Sequence, residues 1–150
     1  MIYRDGTPED AKKIADIDSK SFTSEAWSLN SILEEMQEKD VHVLVAEDEA
    51  GPVGYLCFRQ IFDEAHIANV AVLPERRGEG IADGLFETLD LKCERLGILY
   101  QTLEVRESNR AAIRLYEKHG FVRLGVRRQY YTDPAEDGLI YWHGIPEWLR

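Results

Sequence analysis

The chain has 150 residues, 44% of them apolar, with 28 acidic side chains against 18 basic ones and a formal net charge of −10. That length is expected to form one domain over residues 1–150 with a substantial core. No apolar run approaches the ~20 residues of a membrane span, and the acidic balance disfavours nucleic acid while suiting either solubility alone or a cationic partner such as an amine or a basic peptide. Cys57 and Cys93 stand far apart without metal-ligand spacing, the histidines are scattered and the N-terminus reads as a strand and not as a signal peptide; buried thiols, no metal site and a cytoplasmic location are therefore expected.

Ile2-Tyr3-Arg4 reads as a first strand. Thr7-Pro8-Glu9-Asp10 is a helix start, with Thr7 as N-cap, Pro8 at the first helical position and acids in the first turn favouring the dipole. Ala11, Ile14 and Ile17 then share a face. Ser21 to Trp27 is expected to be a loop, and Ser28 to cap a second helix carrying Ile32, Leu33 and Met36. Val41–Ala46 is a strand turned by Asp48–Gly51, Val53–Phe62 is the next, and Ala65–Val72 is a third, expected to be buried because it is nearly all apolar. A helix over Ala82, Leu85, Phe86, Leu89 and Cys93 stops at Gly97, and Tyr100–Val105 is a strand. Ser108 or Asn109 starts a helix with Ala112, Leu115, Tyr116 and His119 on one face and Gly120 as its stop. Two strands follow, around Phe121–Tyr130 and Leu139–Trp142. This order predicts an α+β fold with a largely antiparallel sheet and helices on its faces.

Between the third strand and the next helix lies Val70-Ala71-Val72-Leu73-Pro74-Glu75-Arg76-Arg77-Gly78-Glu79-Gly80-Ile81-Ala82. Free backbone N–H groups at a helix start, with no bulky side chains in the way, make an anion site, most often for phosphate. No Gly-Lys-Ser/Thr closes the loop, so it is not a Walker loop, and it lacks the three glycines of a dinucleotide fingerprint. A turn that needs glycine only for its backbone geometry would also read this way.

Arg77-x-x-Gly80-x-Ala82 resembles the acetyl-CoA pyrophosphate loop of the GNAT family of N-acetyltransferases. Asn109-Arg-Ala-Ala112-Ile-Arg-Leu-Tyr116, followed by Gly120-Phe121, resembles that family's second signature. Leu103-Glu104-Val105-Arg106, the stretch Arg127-Arg128-Gln129-Tyr130-Tyr131 and Glu136-Asp137 are similar to those of the ribosomal-protein-alanine N-acetyltransferases and their N-terminal-acetyltransferase relatives. The resemblance runs the length of the chain and is densest from Ile67 to Ile140. It implies the GNAT fold, a mixed, mostly antiparallel sheet of about seven strands with about four flanking helices.

The resemblance also implies roles. Val70, Ala71 and Val72 would offer backbone groups to the pantetheine arm, one N–H polarising the thioester carbonyl, although apolar side chains there also fit an ordinary core. Arg77, Gly78, Glu79, Gly80, Ile81 and Ala82 would hold the pyrophosphate, with Arg76 adding charge. Glu79 and Asp83, where relatives often carry neutral or basic residues, are expected to point to solvent, since an acid facing a phosphate would repel it. Asn109 would bond the pantetheine while also capping its helix. Glu104 is the expected base. Alternation alone would put it on a solvated face, and a base there would need burial, a relaying water or both. Tyr116 is the expected acid, against the plainer reading of a core tyrosine. Glu64 and His66 are alternative bases. Trp27, Tyr130 and Tyr131, with Trp142, would line the acceptor groove, where relatives often have Pro-Trp-Ser and this chain has Ala26-Trp27-Ser28.

The expected activity is acetyl-CoA-dependent acetylation of the N-terminal α-amino group of a protein, a ribosomal protein in the first place, by a monomer or weak homodimer acting without metal, nucleic acid or membrane. An α-amino group, with a pKa of roughly 7.7–8.0, is far easier to deprotonate than a lysine at about 10.4. Two alternatives stay open: a GNAT enzyme acting on a polyamine, antibiotic or amino acid, and a CoA-binding module without catalysis.

Overall fold

The helix-start chemistry around Thr7 is the first element the three-dimensional structure, a computed structural model, bears on; it describes residues 1–21 and 27–150. Strand β1 (Ile2–Asp5) leads into a 3-10 turn at Pro8–Asp10, and α1 (Ala11–Ser21) continues from it. Asp10 does more than favour a dipole. It accepts from the Thr7 N–H at 2.8 Å and is gripped by both Arg4 Nη atoms at 2.8 Å, while Arg4 Nε reaches Glu47 at 2.9 Å. The loop expected from Ser21 to Trp27 falls mostly on residues 22–26, outside the described residues, as does Ala26 of the Ala-Trp-Ser stretch; Ser21 itself ends α1. Ser28 caps α2 (Leu29–Met36), its hydroxyl accepting from the Ser31 N–H at 3.1 Å.

The Arg4 guanidinium beside Asp10 holds that carboxyl below the ordinary carboxylate range. A depressed folded-state pKa stabilises the fold above the unfolded value and loses that contribution as pH falls through the folded one. Asp10→Asn is therefore expected to lower unfolding stability by about 1–3 kcal/mol at pH 7. The gap from wild type should close as pH drops below about 4, which urea denaturation at the two pH values would check.

Strands β2 (Val41–Asp48), β3 (Gly51–Ile61) and β4 (Glu64–Val72) form an antiparallel meander. Helix α3 (Ile81–Leu96) crosses over to β5 (Tyr100–Arg106), which runs parallel to β4. Helix α4 (Arg110–Lys118) leads to β6 (Val122–Thr132) and β7 (Ala135–His143), an antiparallel hairpin whose second strand pairs with β5. The order across the seven-stranded sheet is β1-β2-β3-β4-β5-β7-β6. This is the α+β architecture expected from the pattern, with four α-helices and one parallel strand pairing among the described residues.

Period-two alternation sends neighbours to opposite faces. Leu44, Leu56 and Phe58 pack with Leu85, Phe86 and Leu89 of α3 and Tyr116 of α4. Val45 and Tyr55 pack on the other face with Ile14, Ile17 and Ile32 of α1 and α2. Ile81, ahead of the expected stripe, is the first buried residue of α3, while Ala82 is only half-buried. Strand β4 departs from its expected full burial: Ala68 is exposed, because the β3 register passes from Cys57–Asn69 to Phe58–Ile67 and leaves Ala68 as an extra residue.

Candidate active site

The two parallel strands stay together for three residue pairs only: Glu64, Ala65 and His66 opposite Tyr100, Gln101 and Thr102. Beyond them the strands diverge. Among the described residues no strand pairs with the facing edges of Ile67–Val72 and Leu103–Arg106, so both present backbone donors and acceptors to the gap. The gap widens into a cleft of about 1150 Å³, roomy enough for a large cofactor-like ligand and a second reactant. Val70, Ala71, Val72, Arg77, Gly78, Gly80, Ile81, Ala82, Glu104, Asn109, Tyr116, Trp27, Tyr130 and Tyr131 all line it, although they come from six separate stretches of the sequence. Of the expected site residues Glu79, the alternative base Glu64 and Trp142 stand outside its lining.

At one end the chain leaves β4 through a 3-10 turn (Pro74–Arg76) and enters α3. Gly78 and Gly80 both have φ +82°, in the left-handed region that favours glycine, and a Cβ on either would meet nothing within 4 Å. The glycines thus serve the backbone turn and leave the space before the helix open. The first bond of the helix runs from Gly84 N–H to Gly80 O at 3.1 Å, so the amides of Ile81, Ala82 and Asp83 precede it and are free to bind an anion.

The charges around this loop are arranged differently from expectation. Arg76 is engaged by Asp48 and by Glu79 (3.0 Å), so it is neutralised locally and Glu79 is tied to it. Arg77 has no carboxylate partner among the described residues and is the cation left for the loop. Asp83 does not point to solvent. It bonds His119 at 2.7 Å and Lys118 at 3.1 Å, tying the start of α3 to the end of α4, and the His119 contact above all holds its carboxyl below the ordinary range.

Glu104 sits on β5 with its side chain a quarter exposed, and Arg127 Nε, reaching across β7 from β6, pairs with it at 3.0 Å. The Tyr130 hydroxyl donates to the same carboxylate, which pushes the phenol above its ordinary pKa. The expected desolvated carboxylate is thus a partly buried one, held by a guanidinium that is itself 56% exposed. Tyr116 is buried against Phe86 and Phe121 except where it meets the cleft, and burial raises its phenol well above the usual value, so it remains a neutral O–H donor. Asn109 caps α4 by accepting from the Ala112 N–H at 3.2 Å, which leaves its NH₂ group for a ligand.

The β6–β7 pairing slips between Arg127 and Tyr131, and Gln129 adopts φ +51° at the slip, its N–H bonded to Asp137 at 2.8 Å. This bulge turns Tyr130 and Tyr131 over the cleft, where Arg127 and Arg106 lie against their rings at 5.4 and 4.3 Å. A Cβ at Gly138 would press on Tyr130 and Tyr131 at 3.2–3.3 Å, so the glycine makes their room. Glu136 pairs with Arg106 and accepts from the Ser108 N–H at 2.7 Å, tying the hairpin to the start of α4. The Glu-Asp motif is in this way the brace of the tyrosine wall. Trp142 does not line the cleft. It is buried beneath His66, which lines it and bonds Glu64 at 2.8 Å.

Sequence reasoning missed the Glu104–Arg127 pair and the fully buried Asp18. The first joins strands that are not neighbours, which no local pattern encodes. The second had a signal: Asp18 follows Ile14 at helical i+4 spacing on the apolar stripe of α1.

The acetyltransferase (GNAT) family model matches residues 11–121. A Bacillus subtilis (strain 168) protein named as a candidate ribosomal protein bS18-alanine N-acetyltransferase is 38% identical over 140 residues, 93% of this chain and 92% of its own length. The crystal structure of the ribosomal-protein-S18-alanine N-acetyltransferase from Escherichia coli is similar with a TM-score of 0.86 at 28% identity, over 97% of this chain and 96% of that one. Naa20 of Chaetomium thermophilum, solved in complex with a bisubstrate analogue, is similar with a TM-score of 0.82 at 27% identity, over 97% of this chain and 87% of that one.

Proposed function

The chain belongs to the acetyltransferase (GNAT) family, and from that premise we propose that it moves the acetyl group of acetyl-CoA onto the N-terminal α-amino group of a protein, a ribosomal protein being the acceptor. What supports this is one cleft shared by a free helix N-terminus, two open strand edges, a carboxylate and a buried phenol. For the acceptor, the support is the names of the relatives and a net charge of −10, which suits a cationic peptide.

Acetyl-CoA supplies an activated thioester; as the C–N bond forms, the C–S bond breaks. The amides of Ile81 and Ala82, with Arg77, hold the pyrophosphate. The edge of Val70–Val72 pairs with the pantetheine arm, and an N–H of that edge polarises the carbonyl. Glu104 takes a proton from the α-ammonium, which displaces Arg127 from the carboxylate. Such a half-exposed ion pair is worth only about 0–1 kcal/mol, so displacement is easy. Tyr116 places its O–H against the departing sulfur. Cys57 and Cys93 take no part: both thiols are buried and pushed up to about 12, so neither offers a thiolate. Transfer is therefore direct.

Intact-mass analysis of an alanine-starting peptide, with basic residues behind a free N-terminus, should show one added acetyl group after incubation with acetyl-CoA. Turnover of a polyamine or aminoglycoside with that peptide inert would hand the site to the small-molecule reading. On the donor side, saturating acetyl-CoA at about 100 times its dissociation constant should stabilise the fold by roughly 2.7 kcal/mol. Gly80→Ala should cost about 1–2 kcal/mol through its left-handed backbone and also shrink that ligand-induced shift. Gly97→Ala is the control, because Gly97 has φ +73° and equally empty space but lies outside the cleft. Its strain should appear in the melting temperature while its acetyl-CoA shift stays intact.

A further inference from the structure

Asp18 is fully buried and the proposed chemistry does not use it. An acid near the C-terminal end of α1 opposes the helix dipole, and among the described residues no cation pairs with it. Its two oxygens are divided between two parts of the molecule. One accepts from the hydroxyl of Tyr55 on β3, the other from the backbone N–H of Trp27 at 2.5 Å. Tyr55 is fully buried, and Asn69 on β4, the residue beside the Ala68 bulge, acts on its hydroxyl. Trp27 and Asn69 both line the cleft. Burial without a cation pushes the carboxyl above its ordinary range. The fold therefore keeps a carboxyl where burial disfavours its charge, and its hydrogen bonds end on two walls of one site.

We propose that Asp18 is a positioning residue for the acceptor side of the cleft: its hydrogen bonds fix the backbone at Trp27 and, through Tyr55, the Asn69 stretch of β4, and so set the approach of the acceptor amine. The inference rests on the reading that this cleft acetylates an amine. Asparagine at this position keeps the size and one acceptor oxygen but sets an NH₂ against either the Tyr55 hydroxyl or the Trp27 N–H, two groups that both need an acceptor. Phenylalanine at Tyr55 keeps the ring and cuts the path to Asn69. Neither change touches the phosphate loop.

The test is steady-state kinetics of Asp18→Asn and Tyr55→Phe on the alanine-starting peptide and on acetyl-CoA, with thermal melts. The walls these bonds fix are the acceptor's seat, and weaker seating is lost binding, so the peptide KM should rise roughly 10-fold in Asp18→Asn. The acetyl-CoA KM and its ligand-induced thermal shift should stay near wild type. The melting temperature of Asp18→Asn should fall modestly, since one buried donor loses its acceptor, so the peptide-to-acetyl-CoA contrast in KM is the deciding readout. Peptide KM values unchanged in both variants would overturn the inference. So would KM values that rise together for both substrates as the melting temperature falls, which is the mark of a residue that serves only the fold. If Asp18→Asn does not fold, Tyr55→Phe carries the same comparison. A wild-type enzyme inert on the peptide overturns the reading and this inference with it, an outcome visible before any variant is made.

Discussion

Replacing Glu104 by glutamine is expected to slow acetylation of an acceptor peptide roughly 10²–10⁴-fold at neutral pH. The substitution keeps the shape and an acceptor oxygen beside Tyr130 but removes the negative charge that pairs with Arg127 at the cleft. The fold should tolerate it, because a guanidinium this exposed is readily solvated and half-exposed ion pairs contribute about 0–1 kcal/mol. The defect should narrow as pH rises. Above the α-amino pKa of roughly 8 most of the acceptor is already neutral, and a base is no longer needed to make the nucleophile. The pH–rate profile of the variant against wild type is the measurement. Rates near wild type across that range would remove Glu104 as the base and move the role to His66, which lines the same cleft with Glu64 behind it.

Tyr116→Phe should behave in the opposite way with pH. Only the hydroxyl is lost, and the ring keeps its packing on Phe86 and Phe121, so the protein should remain folded with its acetyl-CoA-induced thermal shift intact. Its defect is expected in kcat, on the order of 100-fold, because the O–H meets the sulfur only as the C–S bond breaks. Burial holds the phenol neutral throughout the accessible pH range, so the wild-type group donates equally at pH 7 and pH 9. Alkali should therefore not rescue the variant. A loss that vanishes at high pH, or one confined to the peptide KM, would assign Tyr116 to packing or acceptor binding.

Local chemistry made much of this legible. The Thr7-Pro8 start, the Ser28 and Asn109 caps and the stops at Gly97 and Gly120 are short-range signals, and each stands where it was expected. The loop from Arg77 to Ala82 was legible for the same reason: its glycines answer to their own φ angles. Long-range relations were not legible. The divergence of β4 from β5 depends on which strand edges go unpaired, and an apolar run such as Ile67–Val72 reads as core whether or not its edge is open. The hold of Arg127 on Glu104 depends on β7 lying between their strands and on the bulge at Gln129. The engagement of Arg76 by Asp48 joins residues separated by the whole β3–β4 hairpin. Asp83, expected in solvent, is claimed by a helix that begins well after it in the chain.

Three residue pairs between β4 and β5 are a thin seam for a seven-stranded sheet. The sheet is two plates, β1–β4 and β5–β7, stitched by strand pairing at one end and unpaired at the other. An extended ligand arm laid along Val70–Val72 would add rungs where the ladder stops, lengthening the seam and stiffening the joint between the plates. Hydrogen exchange would register that as slowed amide turnover along residues 67–72 and 103–106, far beyond the few groups the ligand touches. A ligand arm that adds those rungs would also be a splint across the joint.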